Sequence, residues 1–227
     1  MSRLLHGIRG HWQLLALTAL VFALWSTPAA VPLKLLVVTF HELSHAVVAI
    51  LTGGTVESLT VNLRQGGEVW TRGGSRFLVL SAGYLGSLLI GAGLFLAALR
   101  SGADRMVLGA LGAVLLAVLL LYVRDPAAVL IVGGTGAALL AGARWLPATA
   151  CDLALRVIGL TSMIHVPYDI FDDTLRRSAE RSDARMLAEE IGGPTVLWGG
   201  LWLLLALAVI GWTLRRGLGR SSNLRLR

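Results

Sequence analysis

The sequence has very little cysteine. Cys151 is the only cysteine among 227 residues, so an intramolecular disulfide is excluded. A zinc site built from cysteine thiolates is excluded for the same reason. Any metal that this chain holds must therefore be bound by histidine and carboxylate side chains.

Charged residues are also scarce. They make up 15% of the chain, whereas about 25% is usual for soluble proteins. Hydrophobic residues make up 56% and the mean hydropathy is +0.74. A soluble domain of this length cannot bury so many apolar side chains, which predicts an integral membrane protein.

The formal net charge is +7, a value that would also suit a nucleic-acid-binding protein. However, the arginines cluster near the two termini and between apolar runs, where basic residues set the topology of membrane proteins. We therefore expect the lipid bilayer as a partner and no nucleic acid.

Seven apolar runs follow one another along the chain. They are residues 12–25, 31–51, 77–99, 106–123, 127–143, 149–166 and 194–214. The first and the fifth are the shortest and lie below the roughly 20 residues of a straight span, so six to seven transmembrane helices are expected. The first run, with basic residues before it and small residues after it, would also suit a secretory signal peptide.

Two segments differ from this apolar pattern. Residues 55–76 alternate apolar and polar side chains around Gly66-Gly67, which predicts a membrane-associated β-hairpin with strands near 55–63 and 68–71. Residues 168–193 form a long polar loop with short surface helices. The prediction is an all-α polytopic membrane protein, one integral membrane domain over residues 1–227, with a small hairpin.

The second apolar run contains the pattern H-E-x-x-H, formed by His41, Glu42 and His45. On a helix the two histidines lie one turn apart and face the same way. They can then hold one Zn²⁺, with Glu42 acting as general base on a zinc-bound water. Ionisable side chains are costly within a membrane helix, which favours a functional role over structural hydrogen bonds.

A catalytic zinc ion generally takes three protein ligands, so a third residue is needed. Asp169 is our first choice because it is the acidic residue nearest the membrane core. Asp173 and Asp172 are the alternatives, either as the ligand itself or as residues that orient the ligands. The remaining acidic and histidine candidates are His6, His11, Glu57, Glu68, Asp104, Asp125 and His165.

The pattern resembles the site-2 protease family of intramembrane zinc metallopeptidases, and within it a compact bacterial branch without a PDZ domain. The resemblance is carried by residues 41–45, 53–54, 81–87, 168–174 and 182–184. It implies zinc ligands at His41 and His45, a catalytic Glu42 and an aspartate as third ligand. The family's Asp-Gly motif for that ligand does not occur in this sequence.

The resemblance implies a zinc-dependent endopeptidase that cuts membrane-anchored protein substrates, located in the bacterial inner membrane. An extended substrate segment could pair with the hairpin edge, and the helices could also assemble a homo-oligomer. One alternative function is a catalytically silent membrane chaperone or assembly factor of the same fold. Another is an ion pathway, although the interiors of the runs 77–99 and 106–123 carry no charge.

Overall fold

The computed structural model describes residues 2–177, 180–219 and 221–223, with side chains from Gly10 onward. The side chain of His6 and part of the arginine-rich C-terminal segment 215–227 lie outside this description. The helices are α1 (Ser2–Leu24), α2 (Val31–Leu51), α3 (Arg76–Arg100), α4 (Asp104–Tyr122), α5 (Pro126–Trp145), α6 (Ala148–Phe171), α7 (Asp183–Ile191) and α8 (Thr195–Gly217).

Six of the described helices are long and apolar enough to cross a membrane. They are Pro28–Leu51, Arg76–Arg100, Asp104–Tyr122, Pro126–Trp145, Ala148–Arg176 and Thr195–Gly217. The described residues Gly10–Leu24 form a shorter apolar helix. The predicted all-α polytopic membrane fold is thus confirmed, with six spans in this part of the chain.

Local sequence explains where the motif-bearing span begins and ends. Pro32 occupies the first turn of α2, where its missing N–H costs no hydrogen bond. Just past the last turn Gly53 has φ +87°, a left-handed conformation that glycine adopts without strain. The chain can therefore reverse directly into the hairpin.

The predicted hairpin is present, with β1 at Thr55–Val61 and β2 at Gly67–Arg72. The strands are antiparallel, with Val61 opposite Gly67 and Leu59 opposite Val69. The side chains of Leu59 and Val61 are fully buried in the apolar core between α2, α4 and α5. This burial holds the hairpin against the membrane helices beside the motif.

Helix α3 lies at the centre of the bundle and packs against α2, α6 and α8. Small residues permit the close approach. A Cβ at Gly91 would lie 2.5 Å from Cβ of Ser162, and one at Gly159 would lie 2.8 Å from the backbone N of Phe95. The motif helix and α6 thus both pack against α3 and also contact each other.

Candidate metal centre

His41 and His45 project from the same face of α2. Their ring centroids lie 4.7 Å apart, with an angle of 74° between the ring planes. Glu42 and His45 are buried, whereas a fifth of the His41 side chain is accessible. The spacing of the motif thus produces the expected arrangement, two converging imidazoles next to a buried carboxylate.

The two imidazoles lie directly against α3 at Gly83. A Cβ added at this position would lie 2.5 Å from Nε2 of His45 and would also overlap the ring of His41. One turn further along α3, a Cβ at Gly86 would overlap the Ser44 side chain. Gly83 and Gly86, in the stretch 81–87 that carried part of the resemblance, therefore make room for the motif helix and its histidines.

The third group at this site is Asp183, at the start of the short helix α7. Its Oδ2 lies 3.0 Å from Nε2 of His41 and 3.1 Å from Nε2 of His45. The three candidate ligand atoms all lie within 4.8 Å of one another. The side chain of Ser182 caps α7 by accepting from the backbone N–H of Arg185, which fixes the start of the helix beside the histidines.

Electrostatics agree with a cation at this point. Burial acts to raise the pKa of Asp183, but the neighbouring His45 and His41 outweigh it and lower the pKa well below its usual range. An ionised carboxylate that is so deeply buried requires a positive partner. The imidazoles of His45 and His41 supply it when they are protonated, and a metal ion bound by both would supply it when they are neutral.

The donor set fits zinc. Two imidazole nitrogens and one carboxylate oxygen make up a common catalytic zinc set. Ligand atoms at about 2.0 Å from a tetrahedral zinc ion lie about 3.3 Å apart, close to the distances from Asp183 to the two histidines. The residues present therefore match the expected ion in chemistry and in spacing.

Asp169, expected as the third ligand, is not part of this group. Its Oδ2 lies 3.0 Å from Nε2 of His165, because positions four apart on α6 share one face of the helix. Asp172 and Asp173 are also outside the group, and both pair with Arg177. The structure thus brings Asp183, and none of the three predicted carboxylates, to the histidine pair.

The sequence contained one signal for Asp183. Residues 182–184 were among the stretches that carried the family resemblance, but the polar pattern around them is also typical of a surface helix start. Among the other candidates, Glu57 pairs with Arg72, Asp125 caps α5 and His11 bonds Ser222. None of these three belongs to the group formed by His41, His45 and Asp183, which we call the metal group.

A cavity of about 450 Å³ opens over the histidine pair. One wall is formed by the hairpin and the opposite wall by the ends of α6 and α7. Gly67 of β2 lies directly above the motif, since a Cβ there would be 2.5 Å from Oε1 of Glu42. The cavity thus gives access to Glu42 and to the candidate metal ligands at once. Its hairpin wall includes Thr60, Asn62, Gly67, Glu68 and Thr71.

Comparison with known proteins identifies the family. The sequence profile described as Peptidase M50B-like matches residues 14–213. The chain belongs to the Peptidase M50B-like family. No curated protein and no solved structure matches the chain. The resemblance seen in the motifs is thus confirmed at family level.

Membership in the Peptidase M50B-like family and the six apolar helices together identify the chain as an integral membrane protein of a peptidase family. The described residues contain no PDZ domain between the spans. The site described above lies inside the matched residues.

Proposed function

We propose that this protein is a zinc-dependent intramembrane endopeptidase that cleaves membrane-anchored protein substrates. The observation that carries the proposal is the convergence of His41, His45 and Asp183 beside the buried Glu42. We assign the first three as zinc ligands and Glu42 as the general base. The family match to a peptidase supports the same conclusion.

A zinc ion at this site would supply Lewis acidity, which makes water acidic near neutral pH and polarises a peptide carbonyl. Glu42 accepts the proton of the attacking water as the new C–O bond forms. It then donates this proton to the leaving nitrogen as the C–N bond breaks. Because Glu42 is buried and lines the cavity, it exchanges protons only with water and substrate inside the cavity.

Substrate delivery is assigned to the hairpin. A transmembrane helix must unwind before its peptide bond can be attacked, and the freed backbone groups then need partners. Among the described residues β2 pairs with a strand on one side only, and its residues line the cavity next to Glu42. An extended substrate segment can pair with this edge and present its carbonyl to the site.

The test uses the full chain purified in detergent and a reporter protein with one transmembrane helix between two fluorescent tags. We expect the natural protein to cleave the reporter and Glu42→Gln to retain zinc but lose cleavage. Glu57→Gln is the matched control, because Glu57 lies in an exposed ion pair of the hairpin, and it should cleave normally. Equal cleavage by Glu42→Gln would contradict the proposal. Absence of cleavage by the natural protein would favour a catalytically silent member of the fold.

A further inference from the structure

The two histidines of the motif are held in different ways. Nδ1 of His45 donates to the carbonyl oxygen of Val79 at 2.6 Å. Such a bond to the second nitrogen fixes the tautomer and the ring orientation of a metal-binding histidine. In the described part of the chain, Nδ1 of His41 has no hydrogen-bond partner. Another contact must therefore orient the His41 ring.

The ring of His41 lies against the ring of Tyr84. Their centroids are 4.8 Å apart and the planes meet at 81°, an edge-to-face arrangement that is favourable for aromatic rings. Tyr84 is itself almost fully buried, and the ring of Trp202 lies 5.3 Å away from it. Tyr84 is thus confined between α8 and the motif helix.

The hydroxyl of Tyr84 is anchored as well. It donates to Oδ2 of Asp173 at 2.5 Å, and the other carboxylate oxygen accepts from Arg177 at 2.7 Å. Arg177 is held in turn by Asp172 at 2.9 Å. The Tyr84 side chain is therefore held in two ways. Its ring packs against Trp202, and its hydroxyl is hydrogen-bonded to Asp173.

We propose that Tyr84, anchored by Asp173, is a positioning residue that orients the His41 imidazole for metal binding. The carbonyl of Val79 orients the His45 ring by a hydrogen bond. Tyr84 orients the His41 ring by edge-to-face packing. This assignment rests on the proposed function in that it takes His41 to be a metal ligand. It also explains why one of the sequence-predicted carboxylates, Asp173, lies close to the site without reaching the metal position.

The test measures zinc affinity by competition with a chelator, on the full-length protein in detergent. We expect Tyr84→Leu to weaken zinc binding by about 10–100-fold, the usual effect of losing a residue that orients a ligand. Tyr84→Phe keeps the ring and should recover most of this loss. Tyr122→Leu, a tyrosine of α4 outside the cavity lining, is the matched control and should bind zinc normally.

The role of the anchor is tested with a double-mutant cycle. Tyr84→Phe and Asp173→Ala each break the same hydrogen bond, so the double variant should lose no more affinity than the stronger single variant. The ligand-field spectrum of the Co²⁺-loaded protein reports ligand geometry directly. It should change in Tyr84→Leu, change by a smaller and equal amount in Tyr84→Phe and Asp173→Ala, and stay the same in Tyr122→Leu.

Wild-type zinc affinity and an unchanged cobalt spectrum in Tyr84→Leu would overturn the inference while leaving the proposed function intact. Conversely, a natural protein that binds zinc but cleaves no reporter would contradict the proposed function and leave this inference standing. If Tyr84→Leu does not fold, it will show no thermal unfolding transition. In that case the cobalt spectra of Tyr84→Phe and Asp173→Ala test the inference instead. Full additivity of those two variants would reject the anchor.

Discussion

Oδ2 of Asp183 lies 3.0 Å from Nε2 of His41, although 142 residues separate them in the chain. The histidine belongs to a transmembrane helix, whereas the carboxylate belongs to a short helix between two spans. Ala184 and Leu187 of α7 are fully buried in the apolar core that also contains Leu80 and Tyr84. The metal group is therefore assembled only when α7 is packed against the bundle.

The first prediction concerns the third ligand. Asp183→Ala should reduce bound zinc from about one ion per chain to a small fraction of that, because only two ligands remain. Asp169→Ala should retain zinc, since Asp169 pairs with His165 instead. The measurement is the metal content of both variants by mass spectrometry. Loss of zinc in Asp169→Ala with retention in Asp183→Ala would reverse the assignment.

The second prediction concerns the contact between α3 and the histidines. Gly83→Ala should lower zinc affinity and cleavage, because the new methyl would occupy the space of both imidazoles. Gly93→Ala is the control on the same helix, since nothing lies within 4 Å of a Cβ there. It should keep the activity, with stability equal or raised by up to about 1 kcal/mol. Zinc titration together with thermal unfolding separates the two effects, and equal zinc affinities would refute the prediction.

The third prediction concerns the hairpin above Glu42. Gly67→Ala should slow cleavage by about 10²-fold, since misplacing a catalytic group by about 1 Å can have an effect of this size. The added Cβ would lie 2.5 Å from Oε1 of Glu42, so either the carboxylate or β2 must shift. Zinc content should stay unchanged, because Gly67 does not contact the ligands.

Gly66→Ala is the control for this experiment. Its Cβ would lie 3.0 Å from Nδ2 of Asn62, a contact that a shift of a few tenths of an ångström relieves. The rates of reporter cleavage are compared for both variants. Equal slowing of the two would mean that any change in the turn impairs activity and would remove the specific role of Gly67.

The fourth prediction concerns stability far from the metal group. Arg156 donates to both oxygens of Asp152 at 2.6 and 2.8 Å, and both side chains are buried near the start of α6. Arg156→Ala leaves the carboxylate buried without its partner, which typically costs about 3–5 kcal/mol. Arg72→Ala removes an exposed pair with Glu57 and should cost less than about 1 kcal/mol.

The measurement for this pair of variants is denaturant unfolding in detergent, monitored by circular dichroism. Arg156→Ala should unfold at clearly lower denaturant than Arg72→Ala. Zinc affinity of the folded protein should be the same in both, since neither side chain contacts the metal group. An equal loss of stability in the two variants would show that the buried pair is no more important than the exposed one.

Local patterns predicted much of this protein correctly. The apolar runs defined the spans because every backbone group inside a bilayer must be paired within its own helix. The alternation around Gly66-Gly67 located the hairpin, with strand ends within two residues of those observed. The motif histidines converge because a helix turn places positions four apart on one face.

The carboxylate that completes the group was not predictable in the same way. Asp169 and Asp173 were favoured by their position at the end of an apolar run, which local pattern can show. Where α7 packs depends instead on Ala184 and Leu187 entering a core formed by other helices, and no local pattern encodes that contact. The structure therefore paired Asp169 with His165 and brought Asp183 to the histidines.

The sequence by itself determined that the chain crosses a membrane and that His41, Glu42 and His45 share one helix face, because hydropathy and helix period are local properties. Only the tertiary structure decided which aspartate meets the two histidines, that Gly83 makes room for both rings and that Tyr84 lies against one of them. Those relationships join residues that are distant in the chain, and they arise from the packing of α3, α7 and α8 around the motif helix.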